Sequence, residues 1–155
     1  MRRLISFVLV LALIVPFAPG CALFTKTPTT ATTQQAYTQI KTAADVVASA
    51  GRIVASAQQV EIGLAANPAI IPPGTHKAIQ RGFSTTAQKV IDGLAVLRNL
   101  AATATERQSA IQSISDSIGS LISTDLTGLS PEARNTITVI LNGATLVLKG
   151  ALLFV

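Results

Sequence analysis

From Ala36 to Val155 the apolar residues recur at steps of three and four, and nowhere do they alternate with period two for long enough to make a strand. A chain patterned this way is restricted to packed helices, because only a 3.6-residue repeat brings those positions onto one face. Ala43, Val46, Ala50, Ile53, Ala57, Val60 and Leu64 make one such stripe. Ile79, Phe83, Thr86, Val90, Leu94, Leu97 and Ala101 make a second, and Ile111, Ile114, Ile118, Leu121 and Ile122 a third.

Breaks divide the pattern. Asn67-Pro68 and Pro72-Pro73-Gly74 stop the first helix, and Thr75 is placed as the N-cap of the next. Thr103-x-x-Glu106 matches a capping box, which favours ending the second helix there over running on to about Thr124. Gly128 is placed as the C′ residue of the third. Ser130-Pro131-Glu132 then supplies an N-cap, an N1 proline and an early acid for the fourth. The expected domain is an all-α antiparallel bundle over 36–155, with helices at about 36–66, 75–103, 106–125 and 131–155. At 155 residues the chain has room for one such domain.

The last segment is greasier than the others. Thr138, Asn142, Thr145 and Lys149 fall within about 60° of the helix circumference, with Val139, Leu146 and Leu153 crowding one edge of that strip. Leu141, Leu148 and Leu152 lie on the broad remaining surface of a helix that is either core or membrane-embedded. Leu, Ile, Val and Phe favour insertion by about 0.3 to 0.6 kcal/mol each, against about 2.5 to 3.5 for a central Lys. That balance is close to even. The polar strip favours the buried position, with the strip as a solvent-facing edge.

Residues that carry chemistry are sparse. One histidine, His76, and one cysteine, Cys21, cannot assemble a zinc site, which needs several converging ligands, so no metal or cofactor is expected. Asp45, Asp92 and Asp116 accompany many serines, but no nucleophile elbow frames any of them, and the chain is not expected to be an enzyme. Lys77, Arg81, Lys89, Arg98 and Arg107 point in several directions around their helices, which argues against nucleic acid. Ile70-Ile71 is either a small contact patch or the cap of the bundle end.

The N-terminus narrows the cell biology. Met1-Arg2-Arg3 precedes "LISFVLVLALIV", an apolar run too short to span a bilayer comfortably, and Pro16 and Pro19 interrupt any helix after it. Within 21–35, "TKTPTTATTQQ" is too polar to bury surface and reads as a tether. Ala18-x-Gly20 fits an ordinary signal-peptidase site, and an uncut signal anchor over Leu4–Phe24 fits the same residues. A solitary cysteine after Gly20 favours a third outcome, since an exposed thiol is otherwise an oxidation liability.

That third outcome is a resemblance. "APGC", Ala18 to Cys21, resembles the lipobox of bacterial lipoproteins; Gly20 and Cys21 match it, whereas Ala18 and Pro19 depart from the preferred residues. The resemblance implies a signal peptide over 1–20, cleavage between Gly20 and Cys21, and diacylglyceryl and acyl (palmitate-type) chains on Cys21. Ala22 in place of Asp implies outer-membrane sorting, with the domain facing the periplasm. The expected protein is a lipid-tethered envelope component whose helical domain contacts a protein partner. The alternative is a pore-forming or lysis-type protein whose last helix inserts.

Overall fold

The computed structural model describes residues 31–155, so the expected signal peptide, Cys21 and the first part of the expected tether lie outside the described residues. Four helices follow in chain order: α1 Ala31–Ala65, α2 Pro73–Arg98, α3 Ala104–Ser123 and α4 Pro131–Ala151. Short 3-10 segments run over Asp125–Gly128 and Leu152–Phe154, and there is no strand among the described residues. The all-α bundle anticipated from the stripes is the observed architecture. Sequential helices pack side by side, and α4 returns to lie along α1 in the most extensive of the helix pairs; α3 and α4 touch much less.

The core is aliphatic. Val54, Ile71, Ile79, Leu97, Ile111, Ile114, Ile118, Leu121, Leu126, Ile137, Leu141 and Leu148 fill it, with Phe83 its one aromatic among the described residues. Small residues let the helices approach. Ala43, Ala44, Ala50 and Ala57 on α1 are buried, as are Ala133, Ala144 and Ala151 on α4, which is why that pair packs so closely. Between α2 and α3 a Cβ added to Gly93 would stand 2.7 Å from Ile114 Cδ1, and between α1 and α2 one added to Gly51 would stand 2.9 Å from Val90 Cγ1. No larger residue fits either crossing without repacking.

The α2 and α3 stripes bury at Ile79, Phe83, Thr86, Val90 and Leu97 and at Ile111, Ile114, Ile118 and Leu121, with Leu94 and Ile122 partly buried and Ala101 exposed beyond the end of α2. The α1 stripe turns slightly. Its innermost line is Val47, Ala50, Val54, Ala57 and Glu61, while Val46, Ile53, Val60 and Leu64 pack against the core's edge. Neighbours on both sides draw α1 in along a line midway between them.

Four boundaries differ from expectation. Helix α1 begins at Ala31, inside the span assigned to the tether. Helix α2 starts one turn earlier than Thr75: Pro72 is its N-cap and Pro73 its N1 residue, where a fixed φ and a missing N–H cost nothing. It ends at Arg98, short of 103, because Asn99 Oδ1 accepts the Ala101 N–H at 3.0 Å in an Asx turn. Asn67 does the same for Ala69 after α1. Gly128 is not a C′ residue. Thr124 caps α3, and the chain leaves through the 3-10 turn that buries Leu126, with no glycine at positive φ among the described residues.

The capping box at the start of α3 is formed on both sides. Glu106 N–H donates to Thr103 Oγ1 at 3.2 Å, and Thr103 N–H donates to Glu106 Oε2 at 2.6 Å. The backbone and then the side-chain hydrogen bond of Thr103 hold the Glu106 carboxyl below its ordinary value of 4.5. Because the folded-state value is the lower one, the box contributes fully above the unfolded value and is lost as pH falls through the folded one. The Thr103 amide proton shift should therefore titrate with a midpoint below that of a free glutamate. In Glu106→Gln, which keeps an acceptor, the titration should vanish; persistence would assign it to another group.

At the other end of that connection Arg107 is only 8% exposed. Its Nη2 donates to the Asn99 carbonyl at 3.1 Å and the Leu100 carbonyl at 3.5 Å. A guanidinium there ties the start of α3 to the connection that follows α2, adding to the Ala102 N–H already bonded to the Asn99 carbonyl.

Candidate functional site

Three features stand out from the packed background. The first is a buried polar chain between α1 and α2. Glu61 is fully buried, one turn beyond Ala57 on the inner line of α1. A carboxylate is tolerated at such a position only if it is hydrogen-bonded. His76 Nδ1 lies 2.8 Å from Glu61 Oε1, and Gln80 Nε2 donates to Oε2. Gln58 Nε2 donates in turn to Gln80 Oε1 at 2.7 Å. The Nδ1 contact fixes the orientation of the imidazole against the carboxyl. His76, in the first turn of α2, is half-buried and engaged. Among the described residues no hydroxyl or thiol bonds to its ring, so the pair anchors the α1–α2 end and frames no nucleophile. Ile71, 1% exposed, closes that end of the core, with Ile70 outside it.

The second feature is an open, hydroxyl-rich groove of about 510 Å³ between α2 and α3, lined by Thr85, Lys89, Ser109, Gln112, Asp116 and Ser120 among others. At its floor Thr86 Oγ1 and Ser117 Oγ share a hydrogen bond of 2.9 Å. Asp116 accepts from Gln112 and Asp92 from Gln88, so each acid is satisfied along its own helix. No group of three His, Cys, Asp or Glu converges among the described residues. Of the cations, Lys77, Arg81 and Lys89 are exposed, while Arg98 is half-buried and Arg107 is turned inward.

The third is the outer face of α4. Ile137, Leu141, Ala144, Leu148 and Ala151 are fully buried, and Leu152 is partly so. The solvent-facing edge is not the Thr138, Asn142, Thr145, Lys149 strip. It is rotated by about half of a 100° helical step, to Val139, Asn142, Leu146, Lys149 and Leu153. Thr138 is half-buried, its hydroxyl without a partner among the described residues, and Thr145 donates back to the Leu141 carbonyl at 3.3 Å. Val139, Leu146 and Leu153 are 63, 71 and 80% exposed. Packing on α1 caused the rotation: it draws the alanine-bearing side of α4 inward and carries the neighbouring threonines with it.

Glu61, Gln80 and Gln58 match no catalytic spacing in the sequence. The signal available was that Glu61 continues the Ala50, Val54, Ala57 line. A charge on a buried stripe demands partners, and His76 and Gln80 are one turn apart on the next helix.

The architecture defines the class as an all-α, four-helix bundle with an aliphatic core. Comparison with protein-family models, with curated proteins and with solved structures finds no match to this chain.

Proposed function

We propose that the protein is a lipid-anchored component of the bacterial cell envelope whose helical bundle works by contact rather than by catalysis. The observation that carries the reading is Cys21, the sole cysteine, set directly after Gly20 at the end of a basic head and an apolar run. Thioether and amide acylation there would give more than one chain, and anchoring becomes stable only with more than one. The domain sits at the outer membrane facing the periplasm, with Ala22 as the sorting residue. Its contact role is supported by where the polar groups sit: His76 pairs with Glu61 outside the groove that holds the serines, and Asp116 is engaged by Gln112 rather than by a serine hydroxyl.

A second reading, insertion of the last helix as in a pore-forming or lysis factor, draws on Pro131–Phe154, 24 residues long and apolar enough to cross a membrane. It requires Ile137, Leu141 and Leu148 to leave the core, and a core helix of a soluble bundle passes the same length and composition test.

Cys21→Ser separates the anchor from its rivals. In cells fed a clickable fatty acid, the wild type should be labelled, the variant should lose the label entirely, and its precursor should accumulate uncut. Equal labelling of the two chains, or a wild type partitioning into the aqueous phase of a detergent split, would refute the lipoprotein reading.

A further inference from the structure

The exposed apolar edge of α4 faces no other part of the bundle, and the end at which it finishes is the end where the described chain begins. Helix α4 lies along α1, and Leu152–Phe154 pack against α1. The first fully buried residue of α1 is Ala43, and the helix begins twelve residues, about 18 Å along its axis, before it. From Cys21 to Ala31 the chain can extend by about 35 Å at most. If α4 lay flat on a lipid surface, its neighbour α1 would run within about one helix diameter, ~10 Å, of that surface. The tether reaches that position with slack.

We propose that the Val139, Leu146, Leu153 edge is a lipid-docking face, which lays the bundle on the membrane holding Cys21. The inference rests on the reading of Cys21 as a lipid anchor. Three facts favour lipid over a second copy of the chain. A stable protein interface needs about 800 Å² and roughly 20–30 residues from each partner, whereas this edge offers three aliphatic side chains. A bilayer needs no shape complementarity, and tethering supplies it at an effective concentration in the millimolar range, where a marginal face suffices. From Ala133 to Val155 there is no acid, while Arg134 and Lys149 are exposed. Lys149, beside Leu146 and Leu153, can bury its stem and keep its ammonium among anionic headgroups. The docked helix remains part of the bundle, with Leu141 and Leu148 still in the core.

The chain contains no tryptophan, so a single one reports its own surroundings. Full-length protein carrying Leu146→Trp is reconstituted into phosphatidylethanolamine–phosphatidylglycerol vesicles containing a fraction of acyl-brominated phosphatidylcholine. The control is Ile91→Trp, an equally apolar site 60% exposed on α2. Leu146→Trp should shift to the blue and be quenched severalfold more strongly than Ile91→Trp. Equal, weak quenching would overturn the proposal. So would a blue shift without quenching: one that grows with the protein-to-lipid ratio marks a second copy, for which Gly143 and Gly150 leave room. One independent of that ratio marks another segment of the same chain. Flotation of the same vesicles reads the anchor separately. If the Leu146→Trp protein floats with its indole unquenched, the face is rejected and the anchor stands, whereas protein that does not float rejects both.

Discussion

Leu148→Asp should unfold the domain, whereas Leu146→Asp, two residues away on the same helix, should leave it folded. Leu148 is fully buried, and Leu146 is 71% exposed. Truncating a buried leucine alone costs about 2 to 5 kcal/mol. An aspartate adds an unpaired charge in the core, or the cost of protonating it to avoid one, for a further several kcal/mol. Together these rival the whole stability of an ordinary domain, about 5 to 15 kcal/mol. At Leu146 the carboxylate stays in water and the change should lie within about 0.5 kcal/mol. Far-ultraviolet circular dichroism and urea titration of the two variants would measure the contrast. Two folded variants with equal midpoints would mean that α4 does not contribute its Leu141–Leu148 side to the core. Leu141→Asp should behave as Leu148→Asp does.

His76→Ala is the second change with a large expected effect. The imidazole holds Glu61 Oε1 at 2.8 Å, and Glu61 has no access to water of its own. Removing one partner leaves a buried acceptor supported only by Gln80, at a cost of about 1 to 3 kcal/mol. Part of that loss is offset by water entering where His76 was, since the ring is itself 36% exposed. Glu61→Leu in the His76→Ala background should recover much of the stability, because an apolar residue needs no partner. Urea midpoints of the single and double variants decide it. A single variant as stable as wild type would show that the carboxylate draws nothing from the histidine.

Much of the fold was legible in the residues. The stripes of α2 and α3 named most of their buried positions, because their large apolar side chains recur along one face. Thr103-x-x-Glu106 and Ser130-Pro131-Glu132 marked helix starts through hydrogen bonds closed within four residues. The ends of α2 and α3 were less legible. Asn99 stops α2 through an Asx turn that competes with continued helix. The burial of Leu126 draws the chain into a 3-10 turn before Gly128 can act.

The sequence by itself determined what depends on neighbours along the chain. Period, caps and proline breaks specify four helices, and the basic head, apolar run and Cys21 specify the expectation of an anchor. Only the tertiary structure decided what depends on residues far apart. Glu61 and His76 are fifteen positions apart, and nothing local says that one buries beside the other. The azimuth of α4 is of the same kind. Its polar residues form one narrow strip, so hydrophobicity alone fixes the outward side only to within about half of a 100° helical step. The alanines that let α1 and α4 approach select one azimuth, which buries Thr138 and Thr145 partway and leaves Val139, Leu146 and Leu153 facing outward.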